Sequence, residues 1–318
     1  MPAIDPRLAS ADGQAIVQDL VQPFRIEGTD VRGRLVRLGP AIDEVLTRHD
    51  YPAAVAGLLG EASVLASALA AVLKYDGVFT FQAKGDGPVR LLVADVTTKG
   101  AVRGYAQHDP VRLAGALEGQ AHGSVMADAV PRLLGKGYLA FTVDQGTHTE
   151  LYQGIVELSG ATLADCVRHY FTRSEQIETD VLVAAGRIDG KWRAASLVIQ
   201  RMPEPAAEGA VFRDAEEEWR RARALLQTCT RDELLDFSLP PGALLFRLFH
   251  EDGVRVYQPS PLRFGCRCSH ERAVRVLKSI SVDQLDEFKV DGRVVMTCEF
   301  CGTHYEFDDD AIARLTAG

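Results

Sequence analysis

The sequence predicts an α+β fold: a mixed N-terminal domain with an antiparallel sheet and one long amphipathic helix, then a helical connector, then a small cysteine-rich C-terminal domain. Three observations carry this. Strand-like segments come in pairs across short turns, GVFTFQAKG with PVRLLVADV around Gly85-Asp86-Gly87-Pro88, and YLAFTVDQG with ELYQGIVEL, the arrangement of hairpins in an antiparallel sheet. From Tyr51 to Leu73 the apolar positions Val55, Leu58, Leu59, Ala62, Leu65, Leu69, Val72 and Leu73 recur at helical spacing, with Pro52 suited to a first turn. Of six cysteines, four fall in the last 53 residues. With 318 residues and 47% hydrophobic composition, the chain exceeds what a single core usually spans, so two compact units are expected.

Taken in order, the N-terminus MPAIDPRLASADGQAIVQDL lacks the basic start and continuous apolar stretch of a secretory signal. A cytoplasmic protein with reduced cysteines is therefore expected. Asp30 to Leu38 reads as a strand. The run from Ala62 to Leu73 is broken by Ser63 and Ser67 and falls short of the roughly 20 residues of a membrane span, so it reads as buried core. Leu163 to about Ser174 reads as a helix with Leu163, Val167, Tyr170 and Phe171 on one face, and two further strands flank the turn Asp189-Gly190. These elements form an α+β domain over residues 1–200.

Composition changes at Met202-Pro203-Glu204-Pro205, which opens a charged helical linker over residues 201–258. Asp214 to Leu226 is dominated by acids, arginines and alanines. Glu216/Arg220 and Glu217/Arg221 are four apart in the favourable order, yet each such pair is worth only about 0.2 to 0.5 kcal/mol on an exposed helix, so this helix should be marginal alone. Glu233 to Phe249 continues the helical pattern, interrupted by Pro240-Pro241-Gly242, and Ser260-Pro261 leads into a domain over residues 259–318.

Charge and motifs exclude several functions. A net charge of -9 and a pI near 5.4 argue against general binding to nucleic acid or to anionic membrane surfaces. Residues 259–318 hold 8 Lys plus Arg against 10 Asp plus Glu, including Asp308-Asp309-Asp310, so a nucleic-acid-binding zinc module lacks its electropositive stripe. There is no H-E-x-x-H and no G-x-x-x-x-G-K-[ST], the pairs Gly85/Gly87 and Gly135/Gly137 read as turns, and no catalytic residues are assigned. Cys298-Glu299-Phe300-Cys301 has the C-x-x-C spacing of a thiol oxidoreductase without the βαβ context of one. An ATP-independent binding protein fits better than an enzyme.

The decisive feature is FGCRCSHER followed by TCEFCGTHYEF: C-x-C, 29 intervening residues, then C-x-x-C. Cys266, Cys268, Cys298 and Cys301 can close a tetrahedron around one zinc ion, and a site saturated by four thiolates leaves no open position for substrate. His270 and His304 lie nearby, but four cysteines already complete the coordination. One reading is a structural zinc module acting as a specific binding module. The other is a redox switch: a disulfide across C-x-C would close a tight, strained ring that is easily reduced again, and a domain this small would draw most of its folding energy from the metal, worth roughly 10 to 16 kcal/mol in small peptides. Cys166, on a predicted helix, and Cys229, in the linker, read as buried or incidental thiols.

GRLVRLG at Gly33 to Gly39, YQGIVELSG at Tyr152 to Gly160, YFTRSEQ at Tyr170 to Gln176, LFRLFHE at Leu245 to Glu251 and both cysteine motifs together resemble the heat shock protein 33 family of redox-regulated bacterial chaperones, over nearly the whole chain. The linker is the least similar portion, and Cys229 lies outside the family pattern. The resemblance implies a reduced, zinc-bound, inactive monomer that oxidants convert into a holdase for unfolding and oxidatively damaged client proteins. It implies disulfides Cys266 to Cys268 and Cys298 to Cys301 in the active form, and a homodimer on activation.

Overall fold

Two antiparallel strands open the described chain, β1 (Leu20–Ile26) and β2 (Val31–Leu38), with Phe24 opposite Gly33. A Cβ at Gly33 would stand 2.1 Å from the Phe24 ring, so glycine there lets the ring lie across the neighbouring strand. Helix α1 (Pro40–Thr47) begins on a proline, and the Asp19 carboxylate accepts from the backbone N–H groups of Gly39 and Ala41 at its start. Next comes α2 (Ala53–Ala70), the long apolar run. By length and composition it could cross a membrane, but 94% of it is buried inside the protein. The helix is not amphipathic as expected but buried on all sides, Val64 and Glu61 included, because it lies between two sheets; small residues admit one of them closely, and a Cβ on Gly60 would stand 2.8 Å from Ala185 Cβ. The Ser63 and Ser67 hydroxyls donate back to the Leu59 and Ser63 carbonyls, which removes their cost in this core.

The chain continues through β3 (Val78–Gly85), β4 (Val89–Thr97), β5 (Ala101–His108), α3 (Pro110–Leu117), α4 (His122–Ala127), β6 (Gly137–Asp144), β7 (Tyr152–Glu157), α5 (Leu163–Tyr170), β8 (Thr179–Ile188) and β9 (Lys191–Arg201). The linker helices α6 (Ala215–Gln227), α7 (Arg231–Leu235) and α8 (Pro241–Phe249) follow, and then the short strands β10 (Val254–Val256), β11 (Ser260–Pro261) and β12 (Arg263–Phe264). The computed structural model describes residues 18–73, 75–119, 122–146, 152–202 and 214–316, so the break expected at Pro203-Glu204-Pro205 lies outside the described residues. Two compact units result, Met1–Phe264 and Gly265–Gly318.

In the first unit, strands run in the order β10-β1-β2-β9-β8 in one sheet, with β11 also on β1, and β12-β5-β4-β3-β6-β7 in the other. Every pair is antiparallel except β12 with β5. One core lies between the sheets around α2, with Leu58, Leu59, Leu65, Phe79, Phe81 and Phe141 among its members. A second core covers the other face of the first sheet. There Phe24, Leu35 and Ile199 meet Trp219, Leu245 and Phe249 from the linker helices, and Phe24 stacks on Phe249 with centroids 5.6 Å apart.

The linker is thus more firmly held than its composition suggests, because three apolar positions, Trp219, Ala222 and Leu226, line up on one stripe of α6. Its ion pairs also differ from the expected ones: Arg220 pairs with Glu217, Arg221 with Glu251 and Asp252, and Glu216 with Arg201 of β9. Tertiary packing supplies the partners of Glu216 and Arg221, while Arg220 turns to Glu217 one position nearer on the same helix. Asp180 on β8, 2% exposed at its side chain, accepts from Arg168 of α5 and from Arg223 and Gln227 of α6.

The second unit comprises α9 (His270–Leu277), α10 (Val282–Glu287), β13 (Lys289–Val290), β14 (Arg293–Thr297), β15 (His304–Asp308) and α11 (Asp309–Thr316), with the strands in that order in one sheet. Its described core is small: Ala273, Leu277, Leu285, Val294, Phe307 and Ile312. Phe288 and Val290, 61% and 68% exposed, contribute nothing to it.

Candidate metal centre

The C-x-C motif lies between β12 and α9, and the C-x-x-C motif forms the turn between β14 and β15. That turn is closed by Gly302 donating to the Cys298 carbonyl at 2.8 Å and Cys298 donating to the Thr303 carbonyl at 2.9 Å, with Gly302 at φ 69°, where a side chain would be strained. The hairpin register, Thr297 opposite His304, sets both cysteines at one end of the strand pair.

The Sγ atoms of Cys266, Cys268, Cys298 and Cys301 all lie within 4.8 Å of one another. Cys266 and Cys298 are 3.7 Å apart, and Cys268 and Cys301 are 3.4 Å apart. Zinc–sulfur bonds of about 2.3 Å require tetrahedral sulfur separations of about 3.8 Å, so the cluster has the dimensions of a four-thiolate centre. Both of these contacts cross between the two motifs. In a tetrahedron all six edges are equivalent, so this proximity does not select which sulfurs would pair on oxidation.

The surroundings supply donors to sulfur. Burial pushes the Cys298 thiol up to about 12, opposed by backbone N–H groups of Phe300 and Cys301 that donate to its sulfur. Burial raises Cys268 as well, opposed by the Tyr305 hydroxyl, and that same hydrogen bond leads the causes that hold Tyr305 up at about 12. At Cys301 burial also pushes upward, but the side chain and backbone of Thr303 and the neighbouring sulfurs outweigh it and draw the thiol down to about 6. Thr303 and Tyr305 are contacts that spacing rules miss; their signal is the polar T-H-Y run directly after the C-x-x-C turn. The histidines are engaged elsewhere. His304 Nδ1 is 2.8 Å from Thr297 Oγ1, and His270 packs on the Phe307 ring at 5.1 Å.

Outside this cluster, Cys166 is fully buried and its thiol is pushed by burial to about 11; Cys229, 7% exposed, is raised for the same reason. Both match the expectation of buried thiols. Linker packing adds a residue that motif reading did not single out. Arg37 of β2 is 1% exposed, donates to the Leu239 carbonyl and stacks on Phe237 at 5.1 Å, but its Nε and Nη2 have no hydrogen-bond partner among the described residues.

Fold and site together define an α+β protein of two sheets around a buried helix, with a four-cysteine, metal-type centre on a small terminal unit. The model of the Hsp33 protein family matches residues 19–308. Proteins named 33 kDa chaperonin are 42% identical in Caulobacter vibrioides, over 94% of this chain and 97% of the relative, and 39% identical in Pseudomonas fluorescens, over 94% of both. The crystal structure of the 33 kDa chaperonin (heat shock protein 33 homolog) from Thermotoga maritima superimposes with a TM-score of 0.76 at 21% identity, over 94% of this chain and 98% of that one, a likeness of fold. The chain belongs to the Hsp33 family, whose members are chaperones and not enzymes.

Proposed function

We propose that this protein is a redox-regulated, ATP-independent holdase of the cytoplasm, inactive when reduced and active when oxidised, that keeps unfolding and oxidatively damaged proteins from aggregating. The observation that carries the reading is the convergence of four sulfurs in a unit whose own apolar core is only a few side chains. In the reduced state Cys266, Cys268, Cys298 and Cys301 would hold one zinc ion. Bound there, zinc would keep the four sulfurs as thiolates and supply the cohesion the small core lacks.

Oxidation consumes the donors. A thiolate sulfur attacks peroxide, an S–O bond forms as the O–O bond breaks, and hydroxide leaves; a second thiolate then displaces the sulfenic oxygen as hydroxide and forms the disulfide. Each disulfide takes two electrons from sulfur and, with two protons, turns one peroxide into two waters. Pairing Cys266 with Cys268 and Cys298 with Cys301, as the resemblance implies, leaves no donor to retain the ion, and the Gly265–Gly318 unit unfolds. Cys266 follows β12, the end strand of the second sheet, by two residues, so disorder in that unit would begin directly beside it.

The linker is the restrained element. Its helices bury Trp219, Leu245 and Phe249 on the first sheet, and they do so over Arg37, a buried cation with two unmatched nitrogens. Burying an unsatisfied charged group costs free energy, which biases the linker towards release. Freed, the sheet face and the linker's apolar stripe become the client surface, and two exposed copies associate as a homodimer. Neither nucleic acid nor membrane is a partner in this reading.

The test is light scattering from a heat-unfolding client, with zinc-loaded reduced protein compared to peroxide-treated protein while zinc release is followed with a chromogenic chelator. Suppression by the oxidised, zinc-free form alone supports the proposal. Equal inertness of both forms sinks it and leaves a structural metal on a specific binding module. Mass mapping of the oxidised protein identifies the disulfide partners.

A further inference from the structure

We propose that a cavity on the second sheet, together with the open edge of that sheet, binds an extended peptide segment carrying a leucine- or phenylalanine-sized side chain and, two positions on, a lysine or arginine. The cavity measures about 120 Å³ and lies between the end of α2, the strands β3, β6 and β7, and the turn after α5. Leu69, Leu73, Phe79, Phe141 and Phe171 are among its lining, and Glu175 is the one charged residue there among the described residues. An apolar cavity of about 150 Å³ stays dry and accepts benzene, so this one suits a single apolar side chain.

Two sequence motifs that the metal centre does not use build it. YFTRSEQ supplies a wall, a single π-turn over Phe171–Glu175 that ends on Gln176 at φ 54°, a left-handed conformation that is costly away from glycine. YQGIVELSG supplies β7, where a Cβ on Gly154 would stand 2.6 Å from the Tyr170 hydroxyl; glycine admits that ring. The hydroxyls of Tyr152 and Tyr170 both donate to Glu175 Oε1, at 3.0 and 2.5 Å, which holds the carboxylate at the mouth and leaves Oε2 without a hydrogen bond among the described residues.

The occupant follows from these features. β7 is the outermost strand of its sheet, and among the described residues nothing pairs with its outer edge. Tyr152 and Ile155 on that strand are 52% and 58% exposed, and Leu73 beside the cavity is 41% exposed. An added strand would satisfy the edge's N–H and C=O groups, and alternate residues of it would point to the same face, one into the cavity and the next towards Glu175. A carboxylate at the mouth of an apolar cavity complements a cation on that second side chain. That the segment comes from a client rests on the chaperone reading above; the site itself needs no oxidation.

The probe is the fluorescein-labelled nonapeptide LTRTLTRTL, followed by anisotropy with full-length reduced protein. Saturable binding is expected, at least tenfold weaker when alternate peptide amides are N-methylated. Replacing Arg by Glu in the peptide should weaken it too, and Glu175→Gln should cost about threefold to fivefold for the arginine peptide while leaving LTATLTATL unchanged. Equal affinity of the N-methylated peptide, or indifference of the arginine peptide to Glu175→Gln, overturns the proposal. So does self-association of the protein that keeps the peptide from binding, which would give the edge to a second copy. No peptide binding in a protein whose oxidised form still suppresses aggregation removes this site and keeps the holdase; peptide binding in a protein that protects no client in either state removes the holdase and keeps a peptide site.

Discussion

Replacing Trp219 by Ala isolates linker docking from the metal centre. Trp219 is 4% exposed and packs with Ala222 and Leu226 in the core shared by the first sheet and the linker, while the four cysteines lie in the other unit. Truncating a buried Trp to Ala costs about 3 to 5 kcal/mol, and the indole is removed from the docked state far more than from a released one. At about 1.4 kcal/mol per tenfold, the ratio of docked to released linker should fall by roughly two to three and a half orders of magnitude. The reduced, zinc-loaded variant should therefore suppress aggregation of a heat-unfolding client without any oxidant. Metal content, measured by a chromogenic chelator after thiol modification, should stay at the parent level. A variant that melts earlier, keeps its zinc and remains inert when reduced would refute the idea that linker docking restrains activity.

Three further outcomes follow from the same geometry. Arg37→Met removes a buried cation with unmatched nitrogens and keeps its volume, so the linker should dock more tightly by about 1 to 3 kcal/mol, and peroxide-triggered activation should slow when followed by light scattering. Cys301→Ser removes one sulfur of the cluster; bound zinc should fall well below the parent value, and limited proteolysis should cut within Gly265–Gly318 while the first unit survives. Burial raises the Glu61 carboxyl on α2 from its ordinary 4.5 to about 8, with the Arg231 charge offsetting part of it, so the native state holds this proton more tightly than the unfolded chain. The contribution of this group to stability is then full below pH 4.5, falls as pH rises through the window to about 8, and is lost above it, and denaturant melts across that window should show a slope on the order of 1 kcal/mol per pH unit that Glu61→Gln abolishes.

Much of this was legible in local patterns. The hairpins β3–β4 and β8–β9 were marked by turn residues, and α2 by its spacing, because both signals are short-range. The four cysteines were legible because metal-ligand chemistry restricts residue type and spacing together. What remained hidden depends on contacts distant in sequence. The partners of Glu216 and Arg221 come from β9 and from the turn after α8, the parallel pairing of β12 with β5 joins residues far apart in the chain, and Arg37 becomes a buried cation only once Phe237 and Leu239 cover it. Alternating charge along Asp30 to Leu38 carried no hint that one of its arginines would be enclosed.

The linker helices are anchored at both ends, since β9 and β10 belong to the same sheet and bracket them. A segment of roughly 50 residues released between two fixed points explores a radius of about 40 Å, so it stays at millimolar effective concentration over the surface it left. In the holdase reading proposed above, a client taking its place would have to outcompete that tethered rival. Release of cargo would then need no fuel: once the rival regained its footing, occupancy would collapse by mass action.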